Sequence, residues 1–510
     1  MEKELGAVFT PPKTAEYIVS RLGKIKETHK VLDPCVGPGV FVKSLIKAGV
    51  NKSQIFCHDI NPDYKKNVED LGVNFKVVDN LLSFNSDIYN EYDFIVGNPP
   101  YLNKASEYVR KNRAELKKIY GKINAHETYS MFIVNSIWRL KEGGKLGFIT
   151  SDSFLTLSTH KKLRKFILDN CRINEITLAP ANLFIKQKVN TSPVIIFFTK
   201  TTGSLNKDKR DNNMMRVIPR VENEREYTKP PIEYQIKQKK YYSLPFLIFH
   251  VEVEEQIIKL FDKAPKLEQV VQGYIGMHTH DNRKYIAAVK GSNLAEIFIK
   301  KNENIQEVDK KYKIISETLL NTNKWFPYLK RGGGDQYYRP IIEAINWEDE
   351  SIKIYDIPSN VPFLEEGIVI SGVSSRLAVR YMPNGCYWDS NKAIGFIIKE
   401  NSVSIEYVLG ILNSSLYNYL AKGIINNTNS LQITGIHALP FLVPSPNILS
   451  QIENLVRTII REKKKNQEYN YIQEQKHIDN LVFEFYSNQF KFPSELKEKL
   501  DKNYSIYSIL

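Results

Sequence analysis

Short apolar runs alternate with amphipathic stretches through the first two hundred residues. His29–Asp33, Gln54–Asp59, Asn74–Asp79 and Tyr92–Gly97 are each five or six residues long and end in an acid or a glycine, which predicts strands. Val40–Ala48 has helical apolar spacing, a helical stretch opens at Pro62, and Tyr129–Leu140 is helical until Gly143-Gly144 interrupts it. Lys145–Thr150 and Val194–Thr199 are again strand-like. Strands separated by helices predict an α/β unit with a mostly parallel sheet covered on both faces. Ligands bind such sheets at the carboxyl ends of the strands.

The pattern changes after Thr201. Residues 201–242 are polar and densely charged, and are expected to be a linker or crossing segment between residues 1–200 and residues 243–510. The C-terminal lobe is aromatic-rich and mixed α+β in pattern. Helices are expected over Ser404–Leu420 and Pro446–Tyr486, with a basic turn at Arg461–Lys465.

A chain of 510 residues has room for two cores, and 42% hydrophobic with 25% charged residues is ordinary globular composition. No apolar run approaches the roughly 20 residues that cross a bilayer, and Met1–Leu5 carries charge rather than a secretory signal. Four scattered cysteines without a CxxC pair argue against a zinc or disulfide framework and fit a reducing cytoplasm. The net charge of +14 favours a polyanionic partner, although a lysine load imposed by AT-rich codons would give the same sum.

The chemistry is concentrated in Asn98-Pro99-Pro100-Tyr101, directly after YDFIVG. An exocyclic amine on an aromatic base is a poor nucleophile because its lone pair is delocalised into the ring. Two acceptors aimed at its hydrogens favour a tetrahedral nitrogen and stabilise the charge that develops. The Asn98 side-chain oxygen and the Pro99 carbonyl form such a pair. Proline fixes φ and brings no competing donor, and Tyr101 can stack on the base. No metal and no covalent intermediate are needed. An ordinary Pro-Pro turn is the alternative for these four residues taken alone. Three further features accompany them. VLDPCVGPGVFVKSLI places Asp33 at a strand end before a loop with Gly37 and Gly39, without GxGxxG spacing or a Walker lysine. Asp59 closes IFCHD and Asp79 closes FKVVD, where carboxylates can accept bonds from ribose hydroxyls and from an adenine amino group.

This order and spacing resembles the γ-group (Taq-type) N6-adenine DNA methyltransferases. In that family a cofactor segment precedes the glycine loop and a target-recognition domain follows the catalytic lobe. GAVFTPPKTAEYIVSRL (residues 6–22) is similar to the leading segment. The resemblance implies a Rossmann-like, S-adenosylmethionine-dependent methyltransferase sheet, with a mixed α+β DNA-recognition domain over residues 243–510. By resemblance Thr10 and Pro11 line the methionine part of the cofactor and Asp33 lies near its ammonium group. Asp59 holds the ribose and Asp79 the adenine, with Ile60 and Phe132 against the ring. Asn80 departs from the family, which more often has an apolar or aromatic residue there, and Leu81 or Leu82 are the substitutes. The segment Asn182–Lys200 resembles the stretch whose aromatic residue stacks on the flipped adenine opposite Tyr101. Phe198 is the register match and Phe197 the alternative. Since neighbours in a strand face opposite sides, only one of them can serve.

In the C-terminal half, segments such as PYLKRGGGDQYYRP and ISGVSSRLAVRYMPNGCYWDSNK resemble the family's specificity domains. They suggest Lys330, Arg331, Arg376, Arg380 and Asn429 as contacts to double-stranded DNA. A separately encoded restriction endonuclease is the expected partner, and an orphan methylase in the nucleoid-bearing cytoplasm is the other reading. The alternatives in function are a protein glutamine N5-methyltransferase, which also uses NPPY, an RNA adenine methyltransferase, and a DNA-specificity protein with a dead methylase lobe.

Overall fold

The computed structural model describes residues 6–83, 89–123, 127–187, 192–252, 254–399, 403–426 and 430–508. They fall into two compact units, residues 1–253 and 254–510.

The first unit is built on a nine-stranded sheet. Its strands are β1 (Val31–Asp33), β2 (Ile55–Asp59), β3 (Asn74–Val77), β4 (Tyr92–Gly97), β5 (Leu140–Ser151), β6 (Cys171–Leu178), β7 (Pro193–Lys200), β8 (Met214–Ile218) and β9 (Tyr234–Lys237), in the order β3-β2-β1-β4-β5-β7-β6-β8-β9. Parallel pairing joins β3 through β5, while β7 runs antiparallel to both β5 and β6. Every residue of β7 is buried, as expected of a strand covered on both faces. The strand order reverses at β1, which pairs with β2 on one side and β4 on the other. A crevice opens at such a switch point, outside the carboxyl ends of the strands. Helices Pro12–Arg21 and Val40–Lys47 pack together beside it.

The expected strands and helices of residues 29–150 form with ends shifted by a few residues. Gly143-Gly144 does not separate helix from strand, because β5 already begins at Leu140 and Gly143 takes up φ 80° within it. The larger correction concerns residues 201–242. They are not a linker, since β8 and β9 extend the sheet beyond β6. Their charges are employed internally. Buried Glu175 receives the Tyr17 hydroxyl, Arg21 at 2.6 Å and Arg216 of β8 at 3.2 Å. Arg220 reaches Asp152 at 2.6 Å, and Thr14 donates to Glu224 at 2.6 Å. Charge density resembled a solvated linker because ion pairing across the fold is invisible in a linear pattern.

The second unit contains a four-stranded antiparallel sheet (Val271–Tyr274, Ala393–Ile398, Gly367–Ser371, Val379–Met382) and a five-stranded mixed sheet running from Lys313–Ile315 to Tyr387–Trp388. Helices close the chain. The expected helix over residues 404–420 breaks at Asn413, whose side chain bonds both the N–H and the carbonyl of Val379, 3.0 and 2.9 Å. The basic run Arg461–Lys465 is not a turn. It is the last turn of helix Pro446–Lys465, where cations oppose the helix dipole favourably. Among the described residues no helix is long and apolar enough to cross a membrane.

Gln238 tests the membership of residues 201–242 in the first unit. It accepts from Ile173 N and donates to the Cys171 carbonyl, both at 2.9 Å, in a fully buried position. Gln238→Ala leaves two buried backbone groups unpaired and is expected to cost about 2–4 kcal/mol, read as a lower urea midpoint for unfolding of the first unit. An unchanged midpoint would restore the linker reading.

Candidate active site

The loop after β4 is held from two sides. Asn98 Nδ2 donates to the Val8 carbonyl at 2.8 Å and to Thr10 Oγ1 at 3.1 Å. Both amide hydrogens are therefore engaged by the leading segment, and Oδ1 is left as an acceptor. The Tyr101 hydroxyl donates to it at 2.9 Å, which leaves a second lone pair. Tyr101 N reaches the Gly6 carbonyl at 3.3 Å. From the other side Thr128, opening helix Thr128–Arg139, donates to the Pro100 carbonyl and accepts from Leu102 N at 3.0 Å. Among the described residues no donor is bonded to the Pro99 carbonyl. A side chain at Gly97 would put its Cβ 3.1 Å from Asp33 Oδ1, so glycine lets β4 lie against the acid of β1.

Beside the loop lies a cavity of about 990 Å³ including its open mouth, at the upper end of the size usual for small-molecule sites. Thr10, Gly37, Asp59, Ile60, Asp79, Phe132, Asn98 and Pro100 line it. Pro11, Asp33, Gly39, Pro99 and Tyr101 lie behind or beside that lining. Pro11 precedes the first helix and accepts from Ala15 N. Gly39 carries φ 86° at the start of helix Val40–Lys47, a left-handed turn that glycine takes without strain. Asp59 accepts from Gly37 N and Asn61 N, both 2.9 Å. Asp79 accepts from Leu81 N at 3.0 Å and Leu82 N at 3.2 Å, and the Tyr108 hydroxyl spans both its oxygens at 3.1 and 3.0 Å. Leu81 joins the lining, whereas Leu82 does not. Asn80 also lines the cavity and ties its floor, donating to the Pro34 carbonyl at 2.7 Å and pairing with His58 at 3.0 Å. Burial lowers His58 to about 4, so this pair is neutral at pH 7.

The floor is electrostatically incomplete. Asp33 is fully buried, its Oδ1 accepts from Cys35 N at 3.2 Å, and its Oδ2 has no partner. Burial first, and then the Asp59 charge, push its carboxyl well above the usual range, and burial raises Asp59 as well. Asp33 behind the lining, with Asp59 and Asp79 in it among apolar and amide side chains, suits a ligand with a cationic end and a polyhydroxylated middle. S-adenosylmethionine meets that description with its ammonium and sulfonium charges and its ribose.

Phe198 and Phe197 do not reach this site. β7 runs antiparallel to β5, so its later residues descend from the carboxyl edge. Gly97 is level with Phe148, which pairs with Ile196, while Phe198 pairs with Leu146 and is fully buried. Phe197 packs edge-on against Tyr17 at 6.3 Å. The aromatic of this segment that meets Tyr101 is Phe184, with ring centroids 6.4 Å apart and planes at 51°. It lies in the β6–β7 connection, at the edge where the site is. That connection is tied to the leading segment by Gln187, which accepts from Phe9 N at 2.7 Å and donates to the Phe9 carbonyl at 2.8 Å. Phe184, Thr128, Gln187 and Tyr108 were missed in the sequence. An aromatic residue between strands, rather than inside one, was the available signal for Phe184.

Two of the suggested DNA contacts of the second unit, Arg380 and Lys330, are also corrected. Arg380 is 2% exposed and donates to the carbonyls of Gly332 and Arg331 at 3.1 and 3.2 Å; burial lowers it to about 9. Lys330 pairs with buried Asp389 and Arg331 with buried Glu343. Arg376 donates to the Ser505 carbonyl at 2.9 Å. These cations hold loops together, because desolvated carbonyls and carboxylates claimed their donors. Asn429 lies outside the described residues.

The strand order with β7 reversed, and the cavity at the β1 switch point, define a Rossmann-like sheet of the methyltransferase type, followed along the chain by a mixed α+β unit. Residues 39–184 match the Eco57I restriction-modification methylase family, and residues 309–441 match the TaqI-like C-terminal specificity domain. The chain thus joins an Eco57I-like methylase domain to a TaqI-like specificity domain. It is 27% identical over 342 residues to the Type II methyltransferase M.BstVI of Geobacillus stearothermophilus, covering 55% of this chain and 60% of that protein. It is 22% identical over 341 residues to the adenine-specific methyltransferase BrxX of Escherichia coli O9:H4 (strain HS), covering 65% of this chain and 26% of that protein. The fold is shared with a nuclease-deletion mutant of the Type ISP restriction-modification enzyme LlaGI, solved with a DNA substrate mimic. The TM-score is 0.53 at 14% identity, covering 89% of this chain and 54% of that one. The chain spans 60% or less of the length of each of these relatives.

Asp33 supplies a test of the floor. A carboxyl whose folded value is raised disfavours the fold increasingly as pH climbs above its ordinary 3.8. Asp33→Asn removes that penalty. The expected result is a ligand-free protein that is more stable at pH 7 than the parent, with the advantage vanishing toward pH 4, and about tenfold weaker S-adenosylmethionine binding by calorimetry. Unchanged affinity would remove Asp33 from the cofactor's electrostatics.

Proposed function

We propose that the chain is a site-specific DNA methyltransferase that transfers a methyl group from S-adenosylmethionine to N6 of an adenine flipped out of a duplex. The observation that carries this reading is the orientation of Asn98. Its donors are consumed by Val8 and Thr10, so that its oxygen, together with the Pro99 carbonyl, offers two acceptors at the rim of the cofactor cavity. S-adenosylmethionine bound in that cavity supplies an electrophilic methyl carbon. Thr10, Asp59 and Asp79 are the residues to hold it, with Ile60 and Phe132 flanking its adenine. The two oxygens accept the N6 hydrogens of the target, draw the nitrogen toward tetrahedral geometry and stabilise its positive charge. Tyr101 stacks on the extruded base, and Phe184, buried behind it with ring centroids 6.4 Å apart, holds the Tyr101 ring in position. Stacking worth about 1–3 kcal/mol per base offsets the few kcal/mol that extrusion costs.

In this reading residues 1–253 are the catalytic unit, and residues 254–510 grip DNA and select the site. Support comes from the specificity-domain match, from the Type II name of M.BstVI and from the adenine-specific name of BrxX. A separate endonuclease or an orphan role are both compatible with it.

Asn98→Ala is expected to lower methyl transfer to duplex DNA by about 100- to 1000-fold, with donor affinity changed less than threefold. Turnover at the parent's rate would reject the acceptor pair. Phe184→Ala is expected to reduce the fluorescence gain of a 2-aminopurine placed at the target position and to raise KM for DNA about tenfold, while Phe198→Leu leaves both unaltered. The opposite pattern would return the stacking role to β7.

A further inference from the structure

We infer that His278, His280 and Asp356 of the second unit form a binding site for a divalent transition ion of the zinc class. The methyl-transfer reading makes no use of these residues, and the inference stands apart from it. The three side chains are exposed, yet their ligating atoms all lie within 4.8 Å of one another. His280 Nε2 is 2.9 Å from Asp356 Oδ2, and the two imidazole rings stand 4.6 Å apart at 88°. A tetrahedral ion with bonds of about 2.0–2.1 Å needs neighbouring ligand atoms roughly 3.3 Å apart. Small rotations of exposed side chains close the remaining gap.

The backbone holds this grouping in place. His278 and Asp356 exchange hydrogen bonds in both directions, His278 N to the Asp356 carbonyl at 3.1 Å and Asp356 N to the His278 carbonyl at 3.0 Å. Met277, fully buried, is anchored through its N–H to the Trp388 carbonyl at 3.0 Å. His280 adopts φ 58°, a left-handed conformation uncommon outside glycine that histidine tolerates better than most side chains. On its far side Asp281 caps the short helix Asn282–Tyr285 by accepting from Arg283 N and Lys284 N. The turn is thus fixed before and after His280, and its ring is held beside His278.

The donor set decides the ion. Two imidazoles and one carboxylate suit a borderline divalent metal such as Zn²⁺, whereas Mg²⁺ and Ca²⁺ prefer all-oxygen shells. Three protein ligands leave a position for water. An ion here ties the 277–281 turn to the segment carrying Tyr355, whose ring meets Tyr285 edge-on at 5.3 Å in the core below. The expectation from the sequence was that no metal is involved, and methyl transfer itself needs none; the site belongs to the stability of the second unit.

The test uses the untagged full chain after dialysis against EDTA. Co²⁺ added to it is expected to give the visible absorption of a low-coordinate site, saturating at one equivalent and displaced by Zn²⁺ but not by excess Mg²⁺. His278→Ala, His280→Ala and Asp356→Asn each lower the affinity at least tenfold, and His477→Ala, at an exposed histidine elsewhere in the unit, does not. Zn²⁺ raises the thermal midpoint of the parent and not of the three variants. Absence of saturable Co²⁺ binding, or binding that survives the three substitutions, would overturn the site. Retained affinity in Asp356→Asn alone would overturn the three-ligand assignment.

Discussion

Two hydrogen bonds from one amide organise the candidate site of the first unit. By engaging both hydrogens of Asn98 Nδ2, the Val8 carbonyl and Thr10 hydroxyl determine which end of a nearly symmetric side chain faces the site. A free asparagine rotates through either orientation, and one of them would present donors to an amine. The leading segment is therefore more than a wall of the cofactor cavity. It also bonds Tyr101 N through Gly6 and the β6–β7 connection through Gln187. Cofactor lining, acceptor geometry and the aromatic partner of Tyr101 are coupled through one short stretch of backbone.

The cavity beneath is tuned by desolvation rather than by ion pairing. Elsewhere in the same unit buried charges are matched, as Glu175 is by Arg21 and Arg216. Asp33 has no such cation, and one of its oxygens has no partner at all. A buried, underpaired carboxyl is costly to the empty fold, and that cost is relieved when a cationic ligand arrives.

Much of the first unit was legible because its chemistry sits at strand ends, where sequence order and spatial order coincide. Asp59 closes β2, Asp79 and Asn98 follow β3 and β4 by one or two residues, and the sheet order brings all three to one cavity. Residues whose role depends on register or on distant pairing were not legible. Phe198 and Phe184 look alike in sequence, and only the antiparallel descent of β7 separates them. Arg216, Arg220 and Gln238 read as linker because their partners, Glu175, Asp152 and the β6 backbone, lie far away in sequence. The second unit was least legible for the same reason. Arg380 and Lys330 are basic residues in polar segments, yet carbonyls and acids from other loops enclose them.

An acceptor pair built to embrace an adenine amine beside a sulfonium methyl leaves its signature in what becomes methylated. Its most direct test is the identity of the methylated product. Purified protein should be incubated with methyl-labelled S-adenosylmethionine and unmethylated bacterial genomic DNA, and the nucleosides and the protein hydrolysate resolved by mass spectrometry. Label is expected in N6-methyl-2′-deoxyadenosine at a recurring sequence. Label confined to cytosine or to glutamine side chains would contradict it.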